Sequence, residues 1–81
     1  MSEHVVVDEN GYMCFCEAYE EIPGVWRALV RFERKGDDAA TRARIDGVAH
    51  TIAEKFATHH EAMAAAKAFA RYRASRDDVG L

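Results

Sequence analysis

The sequence has little of what would place it in a specialised class. One proline and five glycines in 81 residues exclude a collagen-like or low-complexity chain. Two cysteines are too few for a disulfide-rich scaffold. No apolar run approaches the ~20 residues of a membrane-spanning helix, and the opening MSEHVVVDEN is acidic where a secretory signal would be basic and then apolar. These absences predict a small cytoplasmic domain.

The composition that is present fits one thin hydrophobic core. With 49% hydrophobic and 31% charged residues, the chain is expected to form a single domain spanning residues 1–81. Patterned segments occupy residues 12–75, so the ordered core is expected there. The two termini are expected to be flexible.

Basic residues are absent from the first 24 positions, which hold six acids. Residues 25–44 hold three acids and six bases, namely Arg27, Arg31, Arg34, Lys35, Arg42 and Arg44. Such a segment could bind a polyanion, with Arg34, Lys35, Arg42 and Arg44 as the candidate contacts. An acidic strand beside it would cancel much of its field. Weak, unspecific nucleic-acid binding through residues 27–44 is therefore the alternative function.

Two turn signals delimit the first strands. Pro23 and Gly24 fit the central positions of a type II turn, where proline fixes φ and glycine supplies a positive φ. This turn predicts strands near residues 12–20 and 25–35. Asn10-Gly11 is a hairpin dipeptide, but residues 5–7 form a short first arm. Whether that arm pairs separately or extends the next strand stays open.

The segment VWRALVRFERK alternates between two faces. Trp26, Ala28, Val30 and Phe32 form the apolar face, and Arg27, Leu29, Arg31 and Glu33 form the other face. This pattern predicts a half-buried antiparallel strand.

Residues 45–57 fit either a helix or a strand. The apolar residues at 45, 48, 49, 52, 53 and 56 have helical spacing, but Gly47 and the β-branched residues Val48, Thr51 and Ile52 disfavour a helix. A sheet of only one hairpin would also be too small to hold a core. We therefore predict a third strand near residues 47–56, with two strands and two helices as the alternative.

The final element is a helix near residues 59–75. Thr58 and Glu61 form a capping box, in which the Glu61 carboxylate is expected to reach the Thr58 amide. The predicted buried stripe is Ala62, Met63, Ala66, Phe69 and Ala70, with Tyr72 and Arg73 at its rim. The resulting fold is α+β: a three-stranded antiparallel sheet with this helix on one face (βββα). Trp26, Val30, Phe32 and Phe69 are expected to meet in the core.

Two segments of the chain, GVWRALV and FATHHEA, resemble a pattern found in other small proteins. The pattern G-x-W-x-A-x-V, and then F-x-T-x-x-E-A at the start of a final helix, resembles a group of small, mostly uncharacterised bacterial proteins with three antiparallel strands and one C-terminal helix. It covers roughly residues 12–75. The layout is also similar to double-stranded RNA-binding domains without their first helix. His59-His60-Glu61 stands where that family has a phosphate-binding lysine motif, so the resemblance implies the fold and argues against RNA binding.

Cys14, Cys16, His59 and His60 are the only candidates for a metal site. One residue separates the cysteines, whereas paired zinc ligands are usually separated by two to four. On a strand the two thiols would share the face of Tyr12, so packing beneath the helix is expected, with both thiols free. Adjacent histidines on a helix point about 100° apart. No metal and no cofactor is predicted.

The sequence offers no convincing catalytic group. It lacks a glycine-rich phosphate loop and a third residue to orient a cysteine–histidine pair, and one helix on one sheet face leaves little room for a pocket. The chain is therefore not expected to be an enzyme.

The sheet face away from the helix is the candidate interaction surface. It is expected to carry Met13, Phe15, Tyr19, Arg27, Leu29 and Arg31. Large apolar side chains beside arginines are typical of an interface. The sequence thus predicts a protein-interaction or self-associating module. Its partner is expected to be a second copy, in a weak homodimer, or an unknown protein.

Overall fold

A computed structural model describes residues 3–34 and 47–80 of the chain. The elements are β1 (Glu3–Glu9), β2 (Tyr12–Ile22), β3 (Val25–Arg34), β4 (Gly47–Thr51) and α1 (His59–Ser75). The strands form one antiparallel sheet in the order β1-β2-β3-β4, and α1 packs mainly on β2 and β3. In these two ranges, no helix combines the length and apolar character that a membrane span requires.

The sheet has four strands, so the prediction of three was wrong. The N-terminal arm is a separate strand, in which Val5 pairs with Cys16 and Val7 with Cys14. The β1–β2 turn has Asn10 at φ 52° and Gly11 at φ 82°, as a two-residue type I′ hairpin turn requires. The valine run, residues 5–7, marks only the middle of this strand, because polar residues extend it at both ends.

Of the ambiguous segment, residues 47–51 form a strand, so the predicted strand near residues 47–56 ends five residues early. β4 covers residues 47–51, and the two-helix alternative is wrong for these residues. Beyond Thr51 the Ile52 amide still donates to the Ala28 carbonyl over 2.9 Å. One bridge follows, in which Trp26 and Phe56 exchange backbone hydrogen bonds of 2.7 and 2.8 Å. Tertiary pairing with β3 overrides the helical spacing, because Val48 and Ile52 pack against the core from the edge of the sheet.

The core lies between α1 and the inner sheet face. It contains the predicted strand residues Ala28, Val30 and Phe32, and Trp26 and Phe69 pack against it while partly exposed. On α1 the buried residues are Ala62, Met63, Ala66, Ala70 and Ala74. Phe69 is half-buried, so that part of the predicted stripe needs correction. Ala18 and Ala28 of the sheet are buried in the same core as the helix alanines, and such small side chains let the helix approach the strands closely.

Both ends of α1 are capped by residues near it in sequence. At the start, the Glu61 amide donates to Thr58 Oγ1 over 3.1 Å, which confirms Thr58 as the N-cap. The Glu61 carboxylate accepts from the Ala57 amide, one residue before the predicted Thr58 amide. At the end, the Asp77 amide donates to the Ala74 carbonyl and the Asp78 amide to the Arg73 carbonyl, which is a Schellman motif.

The segment after α1 folds back onto the sheet. Val79 is 1% exposed, its carbonyl lies 3.0 Å from His50 Nε2, and the His50 ring contacts Phe32 and Phe69. Asp77 has φ 58° and accepts a hydrogen bond from the Tyr12 hydroxyl, which raises the pKa of Tyr12 above 10.0. The core therefore includes residues beyond the 12–75 range.

Candidate functional site

The open face of the sheet is formed by the residues that alternate with the core. The alternation of β2 and β3 places all six predicted interface residues on this face: Met13, Phe15, Tyr19, Arg27, Leu29 and Arg31. Their burial is intermediate, except for that of Arg31, which is exposed. No element described in residues 3–34 and 47–80 covers this face.

Four side chains occupy the centre of the open face. Phe15 lies opposite Arg31 across the β2–β3 ladder, and Glu17 lies opposite Leu29 in the adjacent pair. Phe15 and Leu29 therefore stand on one diagonal, and Glu17 and Arg31 stand on the other. We call these four residues the central quartet.

The central quartet lines a shallow depression of about 500 Å³. Its other lining residues are His4 from β1, Glu33 from β3 and Ala49 from β4. The depression is open to solvent and has both acidic and basic side chains on its rim.

The Arg31 side chain extends from β3 toward β4 on the open face. Its Nε lies 3.1 Å from Glu33 Oε2, and its side chain remains 53% exposed. The guanidinium lies directly over Gly47, where a Cβ atom would be 2.6 Å from Nε. A side chain at this position in β4 would therefore displace the arginine.

Glu17 differs from the other charged residues near the centre of this face. It has no hydrogen bond or ion pair within the described ranges, although its burial is intermediate. Arg27, by contrast, binds Glu21 Oε1 over 3.3 Å and the Ile52 carbonyl over 3.3 Å. The half-buried carboxylate of Glu17 is thus the charge at the centre of the face that a partner could satisfy.

Sequence reasoning missed the contributions of the outer strands. Val6, which is 45% exposed, lies beside Phe15, and His4 lies beside Glu17. Ala49 in β4 pairs with Arg31. Strand register places these residues on the open face, and only the valine run and the Asn10-Gly11 turn signalled that β1 exists.

The basic segment does not form one patch in the described part of the chain. Arg34 stacks 6.0 Å from the ring centroid of Tyr12, and Arg27 and Arg31 pair with carboxylates. Lys35, Arg42 and Arg44, the other predicted polyanion contacts, lie outside the described residues.

The two cysteines lie in the core beneath α1, as their spacing predicted. Both are free. Burial raises the pKa of the Cys14 thiol from 9.0 to about 11, with a further contribution from Cys16, and burial also raises the pKa of Cys16. Because the fold favours the protonated thiol, this contribution to stability is complete below pH 9 and is lost as the pH rises toward 11.

The histidine pair lies away from the thiols. The His59 ring contacts Trp26 edge-on with centroids 5.2 Å apart, while His60 is exposed on the other flank of α1. Among residues 3–34 and 47–80, no group of three or more histidine, cysteine, aspartate or glutamate side chains is placed to hold a metal ion.

Burial of the thiols leads to a test of the core. In the native protein, Cys14 and Cys16 should react with a disulfide reagent at least about a hundredfold more slowly than in concentrated guanidinium chloride, since exposure requires unfolding. Timed absorbance of the released thiolate measures this. Ile22→Cys provides the control, because position 22 is 57% exposed and the new thiol should react at once. Rapid reaction of all thiols in the native wild type would contradict the buried placement.

No protein family, curated protein or solved structure matches this chain. The likeness to small bacterial strand-and-helix proteins therefore rests on its sequence pattern. What the structure shows is an antiparallel sheet with a C-terminal helix.

Proposed function

We propose that this chain is a protein-interaction module that associates with a second copy of itself through the open sheet face. The observation that carries the proposal is the apolar content of a face normally occupied by polar residues. Five large apolar side chains share it: Val6, Met13, Phe15, Tyr19 and Leu29. A patch of this kind is typical of an interface.

The charges on the open face favour a second copy as the partner. They are the acids Asp8, Glu17 and Glu33, the bases Arg27 and Arg31, and His4, and Arg27 is already paired with Glu21. The two signs are interspersed, so a strongly acidic or strongly basic partner would meet repulsion as well as attraction. A surface that contains both signs can be complementary to itself.

The size of the apolar patch fits a weak dimer. Burial of two or three such side chains per copy would contribute several kcal/mol at about 25 cal/mol per Å². Association entropy and side-chain ordering oppose a large part of that gain. We therefore expect exchange between monomer and dimer at micromolar concentrations.

Phe15→Glu tests this function directly. The variant should raise the dimer dissociation constant at least about tenfold while the domain stays folded, because the side chain lies on a solvent-accessible face. Light scattering over a concentration series measures association, and circular dichroism measures folding. Tyr72→Glu is the matched control, since Tyr72 is a 58% exposed aromatic residue on α1 and its replacement should leave association unchanged.

Two results would overturn this proposal. One is a wild-type chain that stays monomeric at high micromolar concentration. The other is a dimer that Phe15→Glu leaves intact. A monomer that binds a nucleic-acid duplex below about micromolar concentration at physiological salt would instead support the basic segment 27–44 as the functional region.

A further inference from the structure

The central quartet can be used to determine how two copies would pair. The inference rests on the proposed self-association and concerns its geometry. A symmetric face-to-face dimer has a twofold axis lying between the two sheets, and each residue then meets its mirror position across that axis. Four simple axes pass through the centre of the quartet: one along the strands, one across them, and one along each diagonal.

Two of these axes match unlike residues. An axis along the strands would place Phe15 over the partner's Arg31 and Glu17 over the partner's Leu29. An axis across the strands would place Phe15 over the partner's Glu17 and Leu29 over the partner's Arg31. Both arrangements bury charges against apolar side chains, which costs free energy.

The diagonals differ in their charges. An axis along the Glu17–Arg31 diagonal would place each of these residues against its own copy, so that like charges meet. An axis along the Phe15–Leu29 diagonal places Phe15 against Phe15 and Leu29 against Leu29. It also brings each Glu17 to the partner's Arg31. Only this axis joins apolar with apolar and acid with base at all four positions.

The spacing of a sheet fixes the crossing angle of this arrangement. Neighbouring strands lie about 4.8 Å apart and alternate residues about 6.7 Å apart along a strand, so the strands of the two copies cross at about 70°. This angle lies near the orthogonal class of sheet packing. In projection onto the plane of the sheets, the backbone position of each Glu17 falls within about 3 Å of the backbone position of the partner's Arg31.

The surroundings of the quartet are compatible with this axis. With the same strand and residue spacings, Val6 comes near the partner's Met13, and this extends the apolar contact toward β1. In the single chain the Arg31 guanidinium lies over Gly47, on the β4 side of its own backbone, so it has to turn toward the quartet to reach the partner's Glu17. Its side chain is 53% exposed, and its five N–H donors allow a second carboxylate beside Glu33. The two Asp8 residues also approach each other on the axis, at the exposed rim where solvent and salt screen their repulsion.

We infer that two copies of this chain stack with crossed sheets about a twofold axis along the Phe15–Leu29 diagonal. Each Glu17 pairs with the partner's Arg31. Phe15 and Leu29 supply the apolar contact on the axis. The two Glu17–Arg31 pairs fix the orientation of one copy relative to the other. Each of the other three axes places these charged residues against apolar side chains or against like charges.

Charge reversal in trans tests this geometry. Glu17→Arg alone gives each copy two basic residues on the diagonal, and Arg31→Glu alone gives two acidic residues. Each single variant should raise the homodimer dissociation constant at least about tenfold. An equimolar mixture should form heterodimers within about threefold of the wild-type affinity, since both crossed pairs become attractive again.

The measurement is sedimentation velocity of each variant and of their mixture, with one variant fluorescently labelled. Glu54→Arg is the charge control, because Glu54 is exposed and lies outside the strands. Mixing it with Arg31→Glu should produce no recovery. Each chain carries only one charge reversal, so attraction between positions 17 and 31 can be restored only between two different chains. Recovered affinity in the mixture therefore reports contact between copies.

The outcomes separate the geometry from the function. If the wild type dimerises and Phe15→Glu disrupts it, but the mixture shows no recovery, the diagonal axis is wrong while self-association stands. If the wild type does not dimerise, the proposed function and this inference both fail. If either single variant associates as tightly as the wild type, the Glu17–Arg31 pairing is wrong.

Discussion

Phe32→Ala should lower the free energy of unfolding by about 3–5 kcal/mol, as is typical when a buried phenylalanine is truncated. Phe32 is 0% exposed and is the largest fully buried side chain in the described residues. Its ring contacts those of His50 and Phe69, at centroid distances of 5.7 and 6.2 Å. An 81-residue domain has little stability to lose, so a detectable fraction should be unfolded at room temperature.

Phe15→Ala is the matched control for Phe32→Ala. It removes the same atoms from the open face, where Phe15 is only partly buried. At concentrations low enough to keep the chain monomeric, its cost should stay below about 1.5 kcal/mol. Urea unfolding followed by circular dichroism compares the two. Equal losses would mean that the assignment of inner and outer sheet faces is wrong.

Removal of residues 77–81 is the second change with a large expected effect. The truncation takes away Val79, the Tyr12–Asp77 hydrogen bond and the amides that cap α1. It also removes the Asp78 carbonyl that accepts from Arg73 Nε over 2.7 Å. Burial of the Val79 side chain alone is worth about 1.5–3 kcal/mol, so the truncated chain should lose at least that much stability.

Val79→Ala and Val6→Ala form the matched pair for this prediction. The residue type is the same, but Val79 is 1% exposed and Val6 is 45% exposed. Thermal unfolding at one fixed, low protein concentration should show a clearly lower midpoint for Val79→Ala and a small change for Val6→Ala. A truncated chain as stable as the full chain would show that the C-terminal segment does not dock on the sheet.

The sequence was sufficient to predict the elements with strong local signals. Pro23-Gly24 marked the β2–β3 turn, where Gly24 has φ 82°, and Thr58 marked the start of α1. Alternation along β2 and β3 assigned their inner and outer residues, because side chains on a strand alternate strictly. Turns, helix caps and strand alternation are determined by residues close in the sequence, so a sequence pattern predicts them directly.

The features that sequence reasoning missed depend on register and on distant contacts. The pairing of Phe15 with Arg31 depends on a register shift between Glu20 and Ile22, which neither the turn residues nor the alternation predicts, so the quartet could not be derived from the sequence. Ala74 is buried where the C-terminal segment and the β1–β2 turn meet α1, and its carbonyl accepts from Asn10 Nδ2 over 2.8 Å. No local pattern marks such a contact across 64 residues.

The sequential order of the strands has a kinetic consequence. Each strand pairs with its neighbour in the chain, so the sheet can grow hairpin by hairpin with modest loop-closure costs. The contacts Asn10–Ala74 and Tyr12–Asp77 span 64 and 65 residues, and they can close only after α1 has docked. We expect these contacts to be absent from the folding transition state. Weakening the C-terminal segment would then accelerate unfolding and leave the folding rate nearly unchanged.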